Sequence, residues 1–285
     1  MKLSIIAKAF GFAAVLAMAH TGAGAQTLEL YQQSSKGNTN YINNLNNGPT
    51  YGASWTGAQN ISLAADGSNA FWAYCIDPMT TTKWASGTTN LNVYTSASLN
   101  SFLNTVLPAS GKTGYQEEMS SGGYTGLAYG IQTASLVENS LVSLFSHAYA
   151  DSLTSNTKAA AFGYAVWEII GQSAYSRTAG ALRSAGSDGT SYAVGSGSRD
   201  TLEVQIDAYL TALTSNSWGS VNGTNLTAAT NYLYTVYFDP NPHNAQNFLS
   251  VTNAPPVGVP EPGSLALAGL ALVGAYGSRR RFIGK

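Results

Sequence analysis

The sequence predicts a single α+β domain in which a β-rich sheet or barrel layer carries a helical insertion. Three observations support this class. Residues 26–110 contain short alternating or aromatic runs separated by turn residues, residues 137–213 contain helix-like apolar spacing, and alternation returns at residues 231–238. Because strand-like segments occur on both sides of the helical ones, we expect one domain with an insertion and not two separable domains.

The first part of the chain is expected to form strands. Leu28–Leu30, Ile61–Leu63 and Ala70–Ile76 have the alternating or aromatic character of strands. Turn residues lie between them at Asn46–Pro49 and at Asp66-Gly67, where Asn, Asp, Gly and Pro favour tight turns. This part therefore predicts a β-rich layer.

The middle of the chain is expected to be helical. One apolar stripe recurs at three- and four-residue spacing, at Val137, Leu141, Leu144, Phe145 and Ala148. A second helix is predicted over 158–170, with Gly171 as its stop. Asp200, followed three residues later by Glu203, has the pattern of a capping box and opens a third helix over 202–213. Strands are then predicted over 231–238 and 248–251.

The N-terminus has the order of features expected of a signal peptide over residues 1–25. Lys2 and Lys8 provide a basic start, an apolar stretch extends to Met18, and Ala23-Gly24-Ala25 forms a small-residue cleavage site before Gln26. We therefore expect the secretion machinery to cut between Ala25 and Gln26 and to export the mature chain. Cys75 is the only cysteine, so no disulfide forms within the chain.

The content and sign of the charged residues argue against one class of partner. Charged residues make up only 9% of the chain, against about 25% in ordinary soluble domains. Seven of the 13 basic residues and 13 of the 14 acidic residues lie within residues 26–259, an acidic excess of about six. Nucleic acid is therefore not expected as a partner, because its binding needs basic side chains to neutralise phosphates.

The C-terminus contains a short apolar run followed by an arginine cluster. Residues 264–276 carry no charge and would span about 20 Å as a helix, less than the ~30 Å of a hydrocarbon core. Arg279, Arg280 and Arg281 follow and would stay on the cytoplasmic side of the membrane. Because the run is short and rich in glycine, we expect a transient inner-membrane anchor, preceded by a Pro-rich spacer over 251–258.

The motif Val259-Pro260-Glu261-Pro262, the apolar run and Arg279–Arg281 together resemble the PEP-CTERM sorting signal, here over residues 259–285. In that family a membrane-embedded exosortase is thought to recognise the tail and cut near Pro-Glu-Pro. The resemblance implies processing by exosortase, a final place at the cell surface or outside the cell, and association with exopolysaccharide and biofilm. An ordinary C-terminal membrane anchor is the alternative.

No catalytic, metal-binding or cofactor motif is found in the sequence. His147 lies beside an apolar helix stripe and His243 in a Pro/Asn loop, and the two are not at metal-ligand spacing. Asp77 and Glu168 each follow an apolar stretch, where a structural carboxylate is common. A pair of hydrolytic carboxylates remains an alternative for these two residues, because the distance between such groups is set by the fold.

Two segments of the body, 26–250, resemble the signature segments of thioester domains. Tyr74-Cys75-Ile76-Asp77 ends an aromatic strand, and a predicted helix contains Gly163-Tyr164-Ala165-Val166-Trp167-Glu168. In that family a cysteine on a strand attacks a glutamine side chain on a Gln-x-Ala-x-Trp-Glu helix. Ammonia is released, and an internal thioester that can capture amines remains. By this resemblance Cys75 is the thiol, and Trp167 and Glu168 match the helix motif.

This chain has Gly163 where the thioester family has glutamine. Glycine has no side-chain carbonyl, so Cys75 cannot form a thioester with residue 163, and Gln132 and Gln172 are the other candidate donors. We therefore expect a degenerate thioester-domain-like body in a non-enzymatic exported protein. The alternatives are a covalent adhesin that uses Cys75 and a secreted polysaccharide hydrolase that uses Asp77 and Glu168.

Overall fold

The computed structural model describes residues 27–43, 51–76, 94–106, 133–171, 174–179, 182–187, 199–240 and 245–253. These residues form an α+β fold, as predicted. Its elements in chain order are β1 Tyr31–Asn43, β2 Tyr51–Ser62, β3 Phe71–Cys75, β4 Thr95–Ser98, α1 Leu99–Val106, α2 Ala134–Ser152, α3 Asn156–Gly171, α4 Thr201–Ser215, β5 Tyr232–Phe238 and β6 Phe248–Asn253. The four helices all lie between β4 and β5 in sequence, which confirms the helical insertion.

The strands form one six-stranded sheet in the order β1-β2-β3-β6-β5-β4. The pairs β1–β2, β2–β3, β3–β6 and β4–β5 are antiparallel. Leu28, just before β1, pairs with Tyr94, just before β4, through N–H···O bonds of 2.6 and 3.2 Å. This bridge links the segments that precede the two edge strands. On β3, the consecutive residues Ala73, Tyr74 and Cys75 are all buried, so both faces of the strand are covered there.

An aromatic core joins the sheet to the helices. The ring of Tyr74 on β3 lies 4.4 Å from that of Phe162 on α3 and 6.0 Å from that of Phe145 on α2, measured between centroids. The Tyr74 hydroxyl is 2.7 Å from Ser152 Oγ at the end of α2. Buried tyrosines need such a partner for the hydroxyl while the ring packs against apolar groups. This strand is thereby fixed against both helices.

The predicted helices are confirmed. The stripe on α2 is buried at each of its five predicted positions. On α4, Asp200 Oδ1 accepts from the Glu203 backbone N–H at 2.7 Å, and Glu203 Oε2 accepts from the Asp200 N–H at 3.2 Å. This is the predicted capping box, in which two otherwise unpaired N–H groups at the helix start are satisfied.

The strands are predicted less well at the start of the chain. The strand expected over Leu28–Leu30 is reduced to the single bridge at Leu28, and the long strand β1 begins only at Tyr31. The sequence of β1 is polar and shows no alternation, so its strand structure depends on pairing with β2 over almost its whole length. Strands β3, β5 and β6 agree with prediction within a few residues.

Among the described residues, no helix has the length and apolar character needed to cross a membrane. The predicted leader 1–25 and tail 259–285 lie outside the described residues. Strand β6 extends to Asn253, so the first three residues of the predicted spacer are part of the sheet.

Candidate functional site

The structure brings the two thioester-like segments together. Cys75 is the last residue of β3 and Trp167 lies on α3. The indole Nε1 of Trp167 donates a hydrogen bond of 3.0 Å to the backbone carbonyl oxygen of Cys75. Cys75 and Trp167 are 7% and 5% exposed, so this contact is buried. The pairing of these segments inferred from the sequence is therefore present in the fold.

Glu168 is a fully buried carboxylate with both oxygens engaged. Its Oε1 accepts a hydrogen bond from the Tyr164 hydroxyl at 2.6 Å, and its Oε2 accepts from the backbone N–H of Ser176 at 3.3 Å. Its exposed fraction is 0%. Hydrogen bonds of this kind compensate a buried carboxylate for its lost hydration. Glu168 thus ties α3 to the segment 174–179, while Asp77, its partner in the alternative hydrolase hypothesis, lies outside the described residues.

Gly163 on α3 lies close to the backbone of Gly57 on β2. A Cβ atom at this position would be 3.0 Å from the backbone nitrogen and 3.4 Å from the Cα of Gly57. Side-chain carbons seldom approach backbone atoms so closely. The backbone of Gly57 therefore leaves little space beside the α-carbon of Gly163.

Gly57 is in turn packed against Gly37, its partner in the β1–β2 register. A Cβ atom at Gly57 would be 2.1 Å from the carbonyl oxygen of Lys36 and 2.5 Å from the Cα of Gly37. The φ angle of Gly57 is +152°, which side-chain-bearing residues rarely adopt. Gly57 on β2 is thus packed against a glycine of β1, Gly37, and a glycine of α3, Gly163. We call Gly37, Gly57 and Gly163 the glycine contact.

The glycine contact limits what residue 163 can contribute. Gly163 has no side-chain carbonyl and so cannot be the acyl donor of a thioester, and a Cβ atom there would require the Gly57 backbone to shift. The other candidate donors, Gln132 and Gln172, lie outside the described residues. Among the described residues, the two thioester-like segments contain the buried thiol of Cys75 and the hydrogen bonds of Trp167 and Glu168.

Buried tyrosines surround the strand that carries Cys75. Burial raises the pKa of Tyr74 and of Tyr149. Burial, followed by the negative charge of Asp151, raises the pKa of Tyr209, whose hydroxyl donates to Asp151 Oδ2 at 2.8 Å. Burial also raises the pKa of Tyr237 to about 12. The hydroxyls of Tyr74, Tyr149 and Tyr209 are neutral hydrogen-bonding groups, paired with Ser152, the Trp72 carbonyl oxygen and Asp151.

A buried arginine was not identified from the sequence. Arg177 is 1% exposed, and its Nη1 donates to Glu203 Oε1 at 2.5 Å and to the Ser184 carbonyl oxygen at 2.9 Å. Its Nε donates to Asp207 Oδ1 at 3.1 Å. Arg177 therefore fixes its irregular segment to α4. No local pattern marks an arginine in such a segment as buried, because its partners come from a distant helix.

His147 packs against an aromatic side chain. Its ring stacks on Trp218 at 4.7 Å between centroids and an interplanar angle of 7°. Its Nδ1 lies 2.9 Å from the Ser143 carbonyl oxygen, one helical turn earlier. His243 lies outside the described residues, as do the predicted cleavage residues Ala25 and Gln26 and the sorting residues Val259, Pro260, Glu261, Pro262, Arg279, Arg280 and Arg281.

Residues 258–281 match the PEP-CTERM protein-sorting motif. This finding confirms the resemblance drawn from the C-terminal sequence. The motif implies that the protein is exported, that its C-terminal signal is membrane-associated, and that exosortase processes it. None of the curated proteins matches the chain.

The solved structures similar to this chain include N-terminal domains of surface proteins from Streptococcus pyogenes and Clostridium perfringens. The N-terminal domain of the Streptococcus pyogenes pilus tip adhesin Cpa is 14% identical, with 81% of this chain and 97% of that chain covered and a TM-score of 0.37. The N-terminal thioester domain of fibronectin-binding protein SfbI from Streptococcus pyogenes is 12% identical, with 80% and 95% covered and a TM-score of 0.39. A thioester domain of a Clostridium perfringens surface protein is 13% identical, with 68% and 86% covered and a TM-score of 0.32. The likeness is distant in each case.

Proposed function

We propose that this protein is a non-enzymatic component of the cell surface or extracellular matrix that has lost the covalent chemistry of a thioester domain. In this proposal its leader is cut before Gln26, its tail holds it briefly in the inner membrane, and exosortase cuts near Pro260-Glu261-Pro262. The folded body then remains outside the cell, in association with exopolysaccharide.

The proposal rests on one combination of features: the chain has a C-terminal sorting motif, and its thioester-like helix segment lacks the glutamine that would be the acyl donor. The tail matches the sorting motif over residues 258–281. In the body, Gly163 stands where the thioester resemblance expects a glutamine, and a Cβ atom at this position would lie 3.0 Å from the Gly57 nitrogen, so a side chain would require the backbone of Gly57 to shift. Delivery to the outside without a reactive bond favours a structural or binding role.

The hydrolase alternative receives no support from Glu168. General acid or base catalysis requires a carboxyl group within hydrogen-bond reach of the substrate. Glu168 is fully buried, and its oxygens accept bonds from Tyr164 and Ser176. A role in holding α3 to the following segment accounts for these contacts.

The experiment is a comparison of sorting variants in the native cells. Wild-type protein should be found outside the inner membrane with a trimmed C-terminus. Glu261→Ala should accumulate uncut in the inner-membrane fraction, while Pro256→Ala, a matched change in the adjacent spacer, should be processed normally. Equal processing of Glu261→Ala and wild type, or retention of the wild-type tail, would contradict the proposal.

A further inference from the structure

The β1–β2 hairpin has two unlike faces beyond the point where β3 pairs with it. On one face, Asn40 and Thr56 are 0% exposed, beneath the helices. On the other face, Trp55 is 40% exposed and Thr39, directly opposite it in the strand register, is also exposed. Side chains alternate between the faces of a strand, so Tyr41 lies on the same face as Thr39. This face is solvent-accessible and contains two aromatic residues.

The indole of Trp55 packs on Gly37, its diagonal neighbour on β1. A Cβ atom at Gly37 would be 2.5 Å from Cζ2 and 2.8 Å from Cε2 of Trp55, so the ring covers the α-carbon of Gly37. The same glycine pairs with Gly57, which in turn lies against Gly163 of α3. The indole is thus supported by the hairpin backbone, and 40% of the residue is exposed to solvent.

The two strand segments around Trp55 contain a single charged side chain. Within residues 35–41 and 53–57 the only side chain that is charged at neutral pH is Lys36. Its Nζ is turned to the covered face, where it donates to the Leu153 carbonyl oxygen at 2.5 Å and lies 5.6 Å from the centre of the Trp72 ring. On these two strand segments, the exposed face therefore offers hydroxyl groups and aromatic rings and no charged side chain.

We propose that this face, with Trp55 at its centre and Thr39 and Tyr41 beside it, binds a neutral polysaccharide. A pyranose ring has an apolar C–H face that packs on an open indole and hydroxyl groups that hydrogen-bond with neutral polar side chains, and both partners are present on the face. The acidic excess of about six over residues 26–259 disfavours a polyanionic chain. The inference rests on the proposed function, since it identifies the class of matrix component to which the exported body binds.

The test is isothermal titration calorimetry on the mature protein recovered from the native cells. The probes are cellohexaose, laminarihexaose and mannohexaose as neutral glycans and hexagalacturonate as an acidic one. We expect saturable binding of at least one neutral probe, and binding about tenfold or more weaker in Trp55→Ala, since the stacking contact is lost. Trp55→Tyr should retain part of the affinity. Leu136→Ala removes another exposed apolar side chain, on α2, and should bind as wild type does.

Three outcomes would overturn the proposal: no binding of any neutral probe, stronger binding of hexagalacturonate than of all neutral probes, or equal binding by wild type and Trp55→Ala. Self-association of the mature protein that is lost in Trp55→Ala, without glycan binding, would assign the face to a second copy and would also overturn it. Export and tail removal are measured separately by fractionation. A protein that is exported and trimmed but binds no glycan therefore contradicts this inference alone.

Discussion

The indole Nε1 of Trp167 donates a hydrogen bond of 3.0 Å to the backbone carbonyl oxygen of Cys75. These residues are 92 positions apart in sequence, and their contact joins α3 to the end of β3. The two segments are thus held together by a buried contact between a strand and a helix.

Trp167→Phe removes this hydrogen bond while keeping most of the buried aromatic surface. We expect a loss of about 1–2 kcal/mol in the free energy of unfolding, since a buried hydrogen bond contributes on that order. Urea unfolding measures it. Trp55→Phe is the matched control and should change stability by less than about 0.5 kcal/mol, because Trp55 is at the surface. Equal stability of Trp167→Phe and wild type would argue against the role assigned to this bond.

Because the glycine contact is tightly packed, adding one methyl group at Gly57 should lower the stability of the fold strongly. Gly57→Ala places a Cβ atom 2.1 Å from the Lys36 carbonyl oxygen at a φ angle unfavourable for alanine. We expect a destabilisation of about 3 kcal/mol or more, from overpacking together with backbone strain. Gly219→Ala is the control, because no atom outside its chain neighbours lies within 4 Å of the added Cβ. Similar thermal midpoints for the two variants would contradict the packing described.

Restoring the glutamine should not restore the thioester. In Gly163→Gln the new Cβ would lie 3.0 Å from the Gly57 nitrogen, so the side chain cannot enter without moving α3 or β2. We expect a destabilised protein whose Cys75 is still alkylated by iodoacetamide after denaturation. Release of ammonia together with a methylamine adduct in this variant would show that the site accepts a donor after all.

Arg177 and Arg199 both pair with Asp207 but differ in burial, with side-chain exposures of 0% and 44%. Arg177→Met leaves Glu203 and Asp207 without their buried partner and should cost about 3–5 kcal/mol. Arg199→Met removes an exposed pair and should cost less than about 1 kcal/mol. Denaturant unfolding of both variants provides the comparison, and a larger cost for Arg199→Met would contradict the assignment.

Stability should decrease at alkaline pH because of the buried tyrosines. The pKa of Tyr74 is raised by burial, and that of Tyr209 is raised by burial and by Asp151. The folded state therefore holds these protons more tightly than the unfolded chain, in which tyrosine ionises near about 10. This contribution is fully present below about pH 10 and is lost as the pH rises from there through the raised folded-state values.

Thermal midpoints measured from about pH 8 to about pH 11 test this dependence. The midpoint should fall above about pH 10, and the fall should be shallower in Tyr74→Phe, which has one titrating group fewer. A midpoint that does not change across this range would show that these hydroxyls ionise equally well in the folded state.

Much of the helical part could be predicted from the sequence because its signals are local. The stripe of α2 reflects a fixed spacing of apolar residues, and the capping box of Asp200 and Glu203 needs only two side chains three positions apart. The aromatic strand β3 and the later strands could likewise be identified from their own residues. The pairing of Cys75 with Trp167 was inferred from a resemblance, since their spacing in sequence contains no such information.

The parts that were missed depend on distant partners. Strand β1 is polar and has no alternation, and it is a strand because β2 pairs with it. Strand β4 and helix α1 together span only residues 95–106, too few for periodicity to be evident. The glycine contact and the burial of Arg177 arise where separate segments meet, so no window of sequence contains them.

Intact-mass spectrometry with peptide mapping of the protein recovered from its native cells tests the central claim most directly. The account predicts a chain that begins at Gln26, ends near residues 259–262, and contains a Cys75 peptide that has lost no ammonia and takes up one alkyl group after denaturation. Mapping separates that peptide from Gln26, which can lose ammonia by cyclising. A Cys75 peptide crosslinked to a glutamine or reactive toward methylamine, or a mature chain that still carries Arg279–Arg281, would contradict the account.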